Sequence, residues 1–187
     1  MFVESPGLFQ ILGVLLPVAV VAAVVFVIYW LIHTVRMNKE IGNKAGNRYV
    51  LLTVVCLLLA GASWLFNLGL VHVLLSWCGL PLFYGAFFCF ANCKAAARAA
   101  DMDRVKKYIR WSCVTYLIAY VCFPDVGFEG EMYVLFSLIR SDTVSTVALC
   151  LSLAAFVANI ILLILEIIMA SKWKKPIPPQ TEEAAKE

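Results

Sequence analysis

Apolar residues in this chain run in long unbroken blocks separated by short polar stretches, with little alternation inside a block. That is the pattern of helices that are apolar all round, not of amphipathic helices or half-buried strands. The first block, Leu8–Ile32, has 25 residues and the last, Thr143–Ala170, has 28. A helix needs about 20 apolar residues to cross about 30 Å of hydrocarbon, so each is long enough for one crossing. Between Arg48 and Lys94 lie 45 residues without a charge, which is about right for two crossings. The expected turn between them is Ser76-Trp77-Cys78-Gly79-Leu80-Pro81, with Asn67-Leu68-Gly69 as the alternative. A shorter run, Trp111–Phe123, crosses if Tyr108 and Ile109 join it and Arg110 snorkels; otherwise it is re-entrant and the chain has four spans.

These blocks predict an all-α integral membrane protein, a bundle of five transmembrane helices in one domain over residues 1–175. The spans fall at about 8–32, 49–75, 81–97, 108–123 and 143–170. Pro176, Pro178 and Pro179 end any helix, so residues 176–187 are expected to form a disordered cytoplasmic tail.

Composition agrees. Of 187 residues, 63% are hydrophobic and 14% charged, whereas a soluble domain carries roughly 25% charged residues. The net charge of +3 matters less than its placement. Fourteen of the 15 basic residues fall in the segments 33–48, 94–110 and 172–187, and Arg140 stands alone on the other side. The positive-inside rule then puts the N-terminus outside and the C-terminus in the cytoplasm, in a plasma membrane or a bacterial inner membrane. The first block follows no basic n-region and is too long for a signal-peptide core, so it reads as a retained span.

The two faces differ. Outside, Asp125, Glu129, Glu131 and Asp142 surround Arg140, with the apolar stretch Met132–Ile139 among them. That stretch is expected to be an interfacial helix or a segment dipping back into the protein. His72, Asp125, Glu129 and Glu131 are candidates for an outer vestibule that attracts cations. Inside, Lys94, Arg98, Arg104, Lys106, Lys107 and Arg110 form a basic segment. Its alanines suggest that the third span continues as a cytoplasmic helix with Lys94, Arg98 and Asp101 on one face. It is either ordinary topogenic charge or a site for an anionic ligand: a nucleotide, a nucleic acid or a lipid headgroup.

Polar residues inside the spans carry the sharpest signal. Ser145, Ser152, Asn159 and Glu166 recur every seven residues, with Ala148 and Ala155 between them. Thr53, Cys56, Ala60, Ser63 and Asn67 make a second stripe, and Gly85, Cys89 and Cys93 a third. Such stripes face another helix or water, not lipid. Glu166 is the one acid well inside an apolar block, which makes it the default functional candidate, although it is also placed to pair with Lys172.

Other chemistry is sparse. The sequence holds no phosphate-binding glycine loop, no zinc-protease helix and no Cys-x-x-Cys pair. No catalytic residue, metal site or cofactor is expected. Cys78 and Cys122 both fall near the outer face, where a disulfide is an open question. The expectation is a homo-oligomeric channel or pore component, with copies of the last span around an axis and Thr53, Ser63, Asn67, Ser145, Ser152, Asn159 and Glu166 lining the path or the helix interfaces. Membrane lipid, further copies, an anionic cytoplasmic ligand and a partner membrane subunit are the expected partners. Two alternatives stand: a non-conducting subunit or assembly factor of a larger membrane complex, and a membrane enzyme acting on lipid through His72 with Asp125 or Glu129.

Overall fold

The computed structural model describes residues 8–67, 69–99, 102–126, 130–135 and 138–172, with the backbone alone for 8–16. The described residues are mostly helical, at 82%. In order it forms α1 (Leu8–Glu40), α2 (Lys44–Phe66), α3 (Leu70–Trp77), α4 (Leu80–Ala96), α5 (Asp103–Val121), three short strands, and α6 (Asp142–Lys172). The strands β1 (Asp125–Val126), β2 (Met132–Val134) and β3 (Ile139–Arg140) pair antiparallel in that order.

Among the described residues, three helices are long and apolar enough to cross a membrane: α1 from Pro17, α2 and α6. A fourth is added if α3 and α4, bent by 68° at their junction, count as one span. The first turns of α5 carry Asp103, Arg104, Lys106, Lys107 and Arg110, which keeps that helix below the same measure.

Cross-helix contacts give the relative directions. Ser152 reaches Ala119 and Asn159 reaches Ser112, so α5 and α6 are antiparallel. Tyr49 meets Arg110 and Ser63 meets Tyr120, so α2 and α5 are parallel. Tyr120 reaches the start of α4 while Ser112 reaches Asn92 near its end, so α4 and α5 are antiparallel. The core lies where α2, α4, α5 and α6 meet. Phe88 and Tyr116 stack there with ring centroids 3.8 Å apart, and Ile109, Val105 and Leu163 are fully buried beside them. Exposed side chains of α1, such as Val18, Val21, Val25 and Ile32, are apolar, the surface expected of a helix that meets hydrocarbon.

One end of the bundle is closed by asparagines. Asn43 caps α2 by accepting from the Gly46 amide at 2.7 Å, and its Nδ2 donates to the carbonyls of Ala96 and Ala97. This ties the α1–α2 turn to the end of α4. The approach leaves no room for a side chain at Gly46: a Cβ there would lie 2.5 Å from the Ala96 carbonyl oxygen.

Several expected boundaries change. The block expected to span 49–75 is broken at Asn67–Gly69, so both candidate turns form, and His72 belongs to the short α3. The reason is Asp125, whose carboxylate takes the Gly69, Val71 and His72 amides and so holds α3 as a separate piece. The third span does not continue into a basic helix. It stops at Ala96, a turn follows, and α5 starts afresh at Asp103; Asp101 lies outside the described residues. The Met132–Ile139 stretch supplies β2 and the start of β3 in place of a helix. Leu135, directly after β2, has a positive φ of +57°. The expected disordered tail lies outside the described residues.

Candidate functional site: a buried polar column

The polar stripe of α6 turns into its own protomer. Ser145, Ser152, Asn159 and Glu166 are all at most 1% exposed. Ser152 Oγ donates to the Ala119 carbonyl at 2.7 Å. Asn159 Nδ2 donates to the Ser112 carbonyl at 2.6 Å and to Thr115 Oγ1 at 3.0 Å, and its Oδ1 accepts from the Tyr84 hydroxyl at 2.7 Å. Asn92 on α4 closes the network, its Oδ1 accepting from Ser112 Oγ at 3.1 Å. The outward face of α6 carries Val147, Leu151, Val157, Ile161 and Ile164. An axis built from neighbouring copies of α6 would therefore be lined by apolar side chains, and the stripe belongs to contacts within one chain.

Glu166 ends this column. It is fully buried, six residues or about 9 Å along the axis from Lys172, and no hydrogen bond of full geometry reaches either carboxyl oxygen, although the Ser112 hydroxyl lies within reach of it. Ser112 and Cys113 of α5 lie beside it. Among the described residues it makes no ion pair, so the pairing with Lys172 does not form. A carboxyl in this setting is expensive to keep and is a functional candidate on physical grounds.

The α2 stripe faces the same core. Ser63 Oγ donates to the Tyr120 carbonyl at 3.4 Å, Thr53 bonds back to the Tyr49 carbonyl, and Asn67 caps the helix end. Cys56 meets Cys113 across α2 and α5, and Cys89 and Cys93 touch within α4 at 3.9 Å.

At the end where α3 begins, His72 Nδ1 stands 2.5 Å from Asp125 Oδ2, and both side chains are fully buried. The imidazole packs 4.0 Å from the Trp64 ring and against Phe123, and neither ring nitrogen makes a hydrogen bond of full geometry. Trp64 Nε1 in turn donates to Ser76 Oγ at 2.8 Å. An apolar cavity of about 410 Å³ opens beside this group, walled by α1, α2, α4 and α5 and reached by Ser76, Trp64 and Tyr120. Of the remaining vestibule candidates, Glu131 pairs with Arg140 on the surface at 3.3 Å, and Glu129 lies outside the described residues.

The basic candidates are divided between two helix ends. Lys94 lies over the Phe90 ring at the end of α4, with Arg98 in the following turn, and Arg104, Lys106, Lys107 and Arg110 occupy the first half of α5. Lys106 sits 2.7 Å from Asp103 and holds that carboxyl below its usual range, while Arg110 donates to the Tyr49 hydroxyl. Cys78 and Cys122 are free thiols.

Tyr84, Asn92, Ser112 and Thr115 complete the column and were not among the residues singled out by sequence. A signal existed for two of them: Ser112 and Thr115 are three apart and share a helix face. Asn92 sits in a charge-free block, as exposed to notice as Asn67. No family model, no curated protein and no solved structure matches this chain.

Proposed function

We propose that this is a small multi-pass membrane protein that conducts ions, with the path running inside each protomer along the α6 column and Glu166 as its binding group. The observation that carries this reading is the fully buried Glu166 carboxyl, which no ion pair compensates among the described residues. Intramembrane carboxyls are rare, face the bundle interior and mark ion pathways and proton relays. The column of Asn159, Ser112 and Asn92 leads away from it toward the outer half. In this reading α1, α2, α3 with α4, α5 and α6 make five crossings, with the N-terminus outside. The alternating directions of α2, α4, α5 and α6 and the placement of the basic residues support that topology. Oligomerisation is compatible with the reading but is not what creates the path.

The test is ion flux in liposomes. Glu166→Gln and Asn159→Leu are each expected to lower the flux at least tenfold in protein that remains folded. Unchanged flux in both would remove the assignment.

A second reading is favoured by a different observation. His72 and Asp125 are in contact, one helical turn from Ser76, which with Trp64 lines the apolar cavity that the pair itself does not line. A carboxylate that orients an imidazole is the arrangement of a general base, and a cavity of this size and lining suits a lipid chain. The reading is a membrane enzyme acting on lipid. Turnover of a labelled phospholipid that His72→Ala abolishes would favour it over conduction.

A further inference from the structure

We propose that the species held at Glu166 is a proton, and that the site excludes sodium and other metal cations. The proposal rests on the reading of Glu166 as the binding group of the path and names what it binds. A hard cation stripped of water needs several oxygen ligands converging on it, six or more in the case of calcium or magnesium. Glu166 offers two oxygens, and the polar side chain beside it is Ser112 alone on α5. The single Ser112 hydroxyl proton is shared between Asn92 Oδ1 and the Ile109 carbonyl, 3.1 Å from each. The Ser112 carbonyl accepts from Asn159 Nδ2, and Asn159 Oδ1 accepts from Tyr84. Asn92 Nδ2 is spent on the Phe88 carbonyl. Among the described residues there is no group of three or more His, Cys, Asp or Glu that could hold a metal ion.

The titratable group facing Glu166 is a thiol, Cys113 on α5, which in turn meets Cys56 on α2. From α4 the contribution is Asn92, acting through Ser112, which has no titratable proton. Among the described residues no cation pairs with Glu166. A proton needs no coordination shell. It neutralises the carboxyl, and the neutral acid is the form that a dry, uncompensated site accepts.

The test uses the whole protein in lipid nanodiscs with dicyclohexylcarbodiimide, an apolar reagent that adds to protonated carboxylic acids. The expected result is one adduct on the peptide that contains Glu166, absent from Glu166→Gln. Its yield should be lost as pH rises and unchanged when sodium chloride replaces choline chloride. Protection by sodium or potassium at fixed pH would overturn the proposal, as would absence of the adduct across the pH range in which the protein stays folded. Labelling requires no flux. A labelled protein that conducts nothing overturns the conduction reading alone, whereas a conducting protein whose labelling sodium blocks overturns the proton alone.

Discussion

The Asn159 carboxamide donates to the Ser112 carbonyl at 2.6 Å, bridging α6 to α5 where a third helix also joins, through Tyr84 of α4. This single side chain satisfies groups on two other helices. Asn159→Leu removes all of those bonds. Interhelical hydrogen bonds in a bilayer average well below their value in a dry medium, because the unfolded chain finds other partners. The expected loss is therefore about 1–2 kcal/mol and not several times that. Unfolding in bicelles would measure it, and a stability equal to wild type would show that the network is not structural.

Asp125 organises the outer end in a comparable way. Its carboxylate accepts from the amides of Gly69, Val71 and His72 and touches the imidazole. Asp125→Ala leaves three amides without an acceptor and is expected to cost about 2–4 kcal/mol. Hydrogen exchange should then accelerate at those amides while the amides of α6 stay protected. Uniform acceleration across the chain would mean that α3 is not a separately held unit.

Two glycines separate close packing from helix propensity. A Cβ at Gly46 would meet the Ala96 carbonyl oxygen at 2.5 Å, whereas at Gly61 nothing lies within 4 Å. Gly46→Ala should destabilise by about 1–3 kcal/mol, as overpacking does. Gly61→Ala should be neutral or gain up to about 1 kcal/mol from helix propensity. Thermal midpoints of the two variants, compared side by side, check the contrast.

Thiol access tests the orientation. Cys78 is exposed at the turn between α3 and α4, Cys122 is half-buried at the end of α5 and Cys150 is exposed along α6, while Cys56, Cys89, Cys93 and Cys113 are buried. A membrane-impermeant maleimide added to intact cells should label the protein, and Cys78→Ala combined with Cys122→Ala should remove most of the label. Labelling that appears only after permeabilisation would place this turn, and with it the N-terminus, on the opposite side.

Much of this was legible in the sequence, for identifiable reasons. Ser145, Ser152, Asn159 and Glu166 stand out because a polar residue inside an apolar block is costly, and their spacing of seven puts them on one face. Which helix they face was not legible, because that depends on the position of α5, whose partner atoms are main-chain carbonyls of Ala119 and Ser112 that any sequence supplies. The reading of copies gathered around an axis followed from that gap. The break at Asn67–Gly69 was visible as a turn signal, yet it is decided by Asp125, more than fifty residues away. The contact between His72 and Asp125 was within reach, since both fall on the outer side of the predicted topology. The strands after α5 were not, because two or three residues carry too little alternation to be told from an interfacial segment.

Flux in liposomes loaded at decreasing protein-to-lipid ratio decides whether one protomer contains the whole path. With the path inside each protomer, the fraction of conducting vesicles follows the fraction holding at least one chain, down to single occupancy. Conduction that disappears once vesicles hold a single chain would contradict it and return the path to an axis between copies.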